Sequence, residues 1–159
     1  MRQKELSVWL RVIVVLIGAA VIFLAVVFVP DAGRTLAARD PEFGHLYRPC
    51  LICIWITVLP VLAALCAAWL IFAEIGRDNS FCLKNAARLR LICFLAVADT
   101  VLYIAGGVTL ALLGALDPGF FIILVCVVFM GFSLSVAAAA LSHLTRKAAM
   151  LKAENDLTI

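Results

Sequence analysis

Charge is scarce in this chain of 159 residues: Asp, Glu, Lys and Arg make up 14% of it, against 66% hydrophobic residues. With a mean hydropathy of +1.17, that balance excludes a water-soluble core under an ordinary polar surface. No stretch alternates with period two over the length of a strand, which excludes a membrane β-barrel. There is no GxxxxGKS, no HExxH and no other phosphate or zinc pattern, so neither a metal nor a cofactor is expected. No internal repeat is found. The net charge of +3 comes from basic residues scattered over helix ends. Without a basic stripe, direct nucleic-acid binding is not expected.

What is present is four apolar runs, Val12–Val29, Cys50–Ala73, Leu91–Leu116 and Gly119–Leu141. Crossing a hydrocarbon layer of roughly 30 Å takes about 20 helical residues at about 1.5 Å each. All four runs suffice, which predicts an all-α, four-helix transmembrane bundle forming one integral membrane domain over residues 1–159. The first run follows Arg2, Lys4 and Arg11 but exceeds the length of a secretory h-region, so it is read as a retained span.

Basic flanks set the orientation. Arg2, Lys4, Arg11, Arg77, Lys84, Arg88, Arg90, Arg146, Lys147 and Lys152 fall on one side, against Arg34, Arg39 and Arg48 on the other. The positive-inside rule then places both termini in the cytoplasm and the chain, multi-pass, in a plasma membrane. Leu141, Leu144, Ala148 and Leu151 recur every three or four residues, so the fourth span is expected to continue as a cytoplasmic helix within the tail 142–159. Pro60 interrupts the second span, where neighbouring helices can accommodate a kink.

Two internal features carry chemistry. Asp99 is an ionisable residue deep within a span, and a carboxylate there must be neutral, paired or hydrated. It shares a helical face with Ala96, Tyr103 and Gly106, and Ser133 and Ser135 lie at a similar depth on the fourth span. The expected site is Asp99, Tyr103, Ser133 and Ser135. One reading is a neutral acid bonded to a serine, the other a proton or ligand site, as in a small proton-coupled transporter. The second feature is "RPCLICIW", in which Cys50 and Cys53 begin a span on the oxidising side beside Arg48. The other four cysteines, at 66, 82, 93 and 126, are read as small hydrophobes.

The PCxxCI pattern resembles that of disulfide-generating quinone reductases of the DsbB type, which implies a thiol oxidoreductase or thiol sensor using Cys50 and Cys53. Such a relay needs a second external cysteine pair, and the second external turn, Leu-Asp-Pro-Gly, has none. The chain is therefore read as a non-enzyme.

From residue 50 onward the chain resembles the YoaS-like family of small bacterial membrane proteins, a domain-of-unknown-function family. The carrying segments are "LICIWITVLPVLAALCAAWLIFAEI", "NSFCLKNAARLRLI" and the ending "LKAENDLTI". The resemblance implies four membrane helices and no established activity. It also implies a partner, because members are commonly encoded beside a small Cro-type helix-turn-helix regulator. The docking residues would be Glu154, Asn155, Asp156, Leu157, Thr158 and Ile159, a helix end offered to a groove or sheet edge. The leading expectation is a regulatory protein that senses a membrane or envelope condition and docks that regulator. The bilayer is its other partner. Neither the glycines of the third span nor the small residues of the fourth select an oligomer over intramolecular packing.

Overall fold

The structure, a computed structural model, describes residues 3–39, 41–77 and 79–156. Helix α1 spans Gln3–Phe23, passes through a π-turn at Leu24–Phe28 and continues as α2, Val29–Arg39. A 3-10 segment, Pro41–Leu46, leads into α3, Tyr47–Ile75, followed by α4, Leu83–Leu112, and α5, Pro118–Asp156. Four helical stretches, Lys4–Arg39, Pro41–Ile75, Leu83–Leu112 and Pro118–Asn155, are long and apolar enough to cross a membrane. The described residues between the first two apolar runs, 30–39 and 41–49, are helical.

The π-turn has a local cause. Pro30 has no N–H to donate, and its ring would crowd the carbonyl one turn back in a regular helix. Widening the turn ahead of it relieves that crowding and shifts the hydrogen-bond register to five residues, as in the Val29 N–H to Leu24 O bond. In that register Pro30 would have been the donor for the Ala25 carbonyl. Trp55 Nε1 of α3 supplies the missing bond at 3.0 Å, and the Tyr47 hydroxyl donates to the Pro30 carbonyl at 3.3 Å. The two helices are thereby pinned at the end far from the termini.

Helix α4 ends four residues before the third apolar run does. Gly114 adopts φ +67°, the Gly114 N–H reaches Ala111 O at 3.1 Å and the Ala115 N–H reaches Leu110 O at 3.0 Å. This is a Schellman cap, which glycine at that position favours. The helix thus ends at Leu112, inside the apolar run Leu91–Leu116. Asp117 then caps α5: its Oδ2 accepts from the Gly119 N–H at 2.8 Å, and Pro118 takes the first helical position, where no donor is needed.

The helices pack in chain order, α1 on α3, α3 on α4 and α4 on α5. Among the described residues, α1 comes within 8 Å, Cα to Cα, of neither α4 nor α5, and α3 does not approach α5 that closely. The bundle is therefore open, with α1 and α5 as its two edges. Few side chains are buried. Ala67, Ala86, Ala96 and Ala138 are among them, and small residues at helix contacts are how membrane helices approach without a hydrophobic driving force.

Candidate functional site

Three groups of polar side chains stand out against this apolar frame. The largest lies at the end that carries both termini. Ser7 is fully buried, 1% exposed, and its hydroxyl donates to the Phe72 carbonyl at 2.6 Å. Arg11 Nη2 donates to Ser7 Oγ at 2.9 Å, and the Arg11 guanidinium carbon stands 5.7 Å from the Trp69 ring centre. The approach is close because Gly76 has no side chain: a Cβ there would stand 2.7 Å from Ser7 Oγ.

The adjoining half of the cluster joins α3 to α4. Arg88 Nη1 donates to the Leu70 carbonyl and to Asn85 Oδ1, each at 3.1 Å, and lies 3.9 Å from Glu74 Oε1. Asn85, also 1% exposed, donates through Nδ2 to the Ser80 carbonyl at 3.1 Å. Ser142 of α5 donates to the Ala86 carbonyl at 2.8 Å. One knot of serine, asparagine and arginine therefore holds all four spanning helices at this end. Arg88, which composition would assign to lipid headgroups, is half-buried and holds a helix terminus instead. Arg88 could not be assigned from sequence, because two of its partners, the Leu70 carbonyl and Glu74, lie on α3 and reach it only through packing.

The second group surrounds Asp99. The expected bond to Ser133 or Ser135 is not formed: Ser133 Oγ donates to Phe129 O at 2.8 Å and Ser135 Oγ to Phe132 O at 2.7 Å. Serines in membrane helices commonly satisfy themselves on the preceding turn in this way. Azimuth also separates them. A Cβ on Gly106 would stand 4.0 Å from Cys53 Sγ, and Tyr103 shares a hydrogen bond with Thr57 at 3.2 Å. Asp99 lies on that same α3-facing side of α4, so the antiparallel register sets it level with Pro60 and Val61 rather than against α5. Its Oδ1 is buried and has no hydrogen-bond partner among the described residues.

Leaving such an oxygen unpaired costs about 1–3 kcal/mol. Asp99→Leu is accordingly expected to raise the thermal midpoint of the detergent-purified protein by about 2–4 °C per kcal/mol recovered. A fall in the midpoint would show that the carboxyl makes a bond that matters.

The third group is Cys50 and Cys53, both free thiols, in the first two turns of α3. The turn joining α4 to α5 carries no cysteine, so a two-pair relay has no donor there.

Of the docking residues, Glu154 and Asn155 are exposed on the last turn of α5, and Asp156 closes the helix. Leu157, Thr158 and Ile159 lie outside the described residues. The periodic residues of the extension face an unexpected way. Thr145 and Ala149 are buried, whereas Leu141, Leu144 and Leu151 are exposed. At 100° per residue the two sets fall roughly a third of a turn apart, so the leucines lie to one side of the buried face, with Ala148 half-buried between them.

The chain matches the family model DUF2975, a protein of unknown function, over residues 31–159. It is similar to the uncharacterized membrane protein YoaS of Bacillus subtilis (strain 168), with 28% identity over 155 residues covering 96% of this chain and 97% of the relative. No solved structure matches.

Proposed function

Because the chain belongs to the DUF2975 family, multi-pass membrane proteins of unknown function, we propose that it is a regulatory protein of the bacterial plasma membrane whose termini-side face docks a soluble helix-turn-helix regulator. The observation that carries this is the continuation of α5. The helix has 39 residues, about 58 Å at helical rise, where about 20 residues cross the hydrocarbon. Leu151 lies ten residues past Leu141, about 15 Å beyond the end of the apolar run, and it is exposed. An unpartnered stripe of Leu144 and Leu151, beside exposed Arg146, Lys147 and Lys152, has the form of a helix awaiting a groove. The basic flanks support a cytoplasmic location for that face, where a soluble regulator could reach it.

Removing Glu154 to Ile159 leaves the membrane helices intact and is expected to abolish co-purification of the regulator from solubilised membranes. Unchanged recovery would dispose of the docking role.

One observation favours a second reading, proton-coupled transport through Asp99: the buried and unpartnered Oδ1. Reconstituted vesicles separate the two. Flux that depends on pH and vanishes in Asp99→Asn supports transport, and absence of flux at every pH removes it.

A further inference from the structure

Between α1 and α3, just inside the Arg11 cluster, lies a slot of about 480 Å³ that opens sideways from the helix pair. Val14, Gly18, Leu62, Leu65, Cys66 and Trp69 line it, without a single ionisable acid or base among them apart from the thiol. Gly18 keeps it open: a Cβ there would already stand 3.7 Å from Leu65 Cδ1. From Leu70 to Leu62 the slot runs along eight residues of helix, about 12 Å.

At its termini-side mouth stands Arg11. This arginine immediately precedes the first apolar run, which sets it at headgroup depth. Its guanidinium is fixed by Ser7 and by the Trp69 face, yet its Nε is buried and has no hydrogen-bond partner. No carboxylate among the described residues lies within ion-pair distance of it; Glu74, the acid on the adjacent end of α3, is engaged by Arg88. Arg11 as a whole is half-buried, and a guanidinium without a carboxylate partner at this depth points to an oxyanion. The planar Nε and Nη donors suit a phosphate in particular, and at this depth phosphate belongs to lipid.

We propose that this slot binds one anionic phospholipid of the leaflet at the termini end, its phosphate accepting from Arg11 and one acyl chain lying along Gly18 and Leu65. Trp69 joins the two, lining the slot and standing 5.7 Å from the Arg11 guanidinium carbon, so one molecule could reach both. Such a site would also give a membrane-composition signal a place to act, independently of whether the α5 extension docks a partner.

The test uses the full chain, purified and delipidated in a zwitterionic detergent. Phosphatidylglycerol is expected to raise the thermal midpoint by about 5 °C at a hundredfold excess over Kd, and native mass spectrometry should retain one lipid per chain. Phosphatidylcholine and inorganic phosphate at the same concentration should do far less. Arg11→Gln is expected to weaken binding by about tenfold or more. Gly18→Leu keeps every charge, fills the slot and should also lose the retained lipid. Lys84→Gln, an exposed basic residue elsewhere on the same side, should bind as the parent does. Undiminished lipid retention in Gly18→Leu would overturn the proposal, as would an equal shift with inorganic phosphate. Should Arg11→Gln fail to fold, Gly18→Leu decides the matter alone.

Discussion

Replacing Gly131 by leucine is expected to part α5 from α4 and to leave little folded protein in the membrane. At that position the Gly131 backbone lies against the Thr100 side chain: a Cβ on Gly131 would run into Thr100 Oγ1, with Thr100 Cβ at 3.5 Å and the Ala96 carbonyl at 3.9 Å. Thr100 cannot swing aside freely, because its hydroxyl donates to Ala96 O at 2.7 Å and β-branching restricts its χ1. Overpacking of this kind costs about 1–3 kcal/mol for a small addition and more for a large one, and membrane helix contacts depend on small residues for their affinity.

The milder Gly131→Ala gives the quantitative form. It should destabilise by about 1–3 kcal/mol, and Thr100→Ala should restore most of that loss in the double variant. Thr100→Ala alone should be nearly neutral, since Ala96 O keeps its helical partner. Equal destabilisation by Gly131→Ala in both backgrounds, measured by unfolding in mixed detergent, would contradict the contact.

The second large effect is expected at Asn85. Its side chain, 1% exposed, ties the α3–α4 connection to the start of α4 by donating to Ser80 O, and it accepts from Arg88. Asn85→Leu removes both and strands the Ser80 carbonyl, one buried polar group left unmade at about 1–3 kcal/mol. Arg88 loses one of its acceptors but keeps the Leu70 carbonyl and Glu74. The expected total is about 2–4 kcal/mol, large against a typical stability of about 5–15 kcal/mol. Asn85→Asp keeps the acceptor for Arg88 but loses the donor to Ser80, so it should fall between the parent and Asn85→Leu. If Asn85→Leu melts with the parent, the polar knot contributes nothing to holding the helices.

The four spans were legible because run length is a one-dimensional property: hydrocarbon thickness sets it, and no partner is needed to read it. Helix ends were less so. Leu113, Ala115 and Leu116 are as apolar as the span before them, and only the left-handed Gly114 marks where the chain turns. The π-turn was not foreseen: beside Pro30 it involves Trp55, twenty-five residues on, whose indole satisfies the Ala25 carbonyl. Ser133 and Ser135 were matched to Asp99 by depth, which the sequence carries, whereas azimuth round α4 depends on how the neighbours pack. Arg11 and Arg88 escaped recognition for a related reason, since ordinary headgroup contacts have the same sequence appearance. The periodic leucines of the tail were visible, but not that they turn outward.

Photo-crosslinking from position 151 in native membranes tests the docking account most directly. A photoreactive residue replacing Leu151 should capture a small helix-turn-helix protein, identified by its peptide masses, and the same residue at Phe28, at the opposite end of the first helix, should not. Capture should disappear when Glu154 to Ile159 are removed. Finding no soluble protein at position 151, or the same products from both positions, would contradict it.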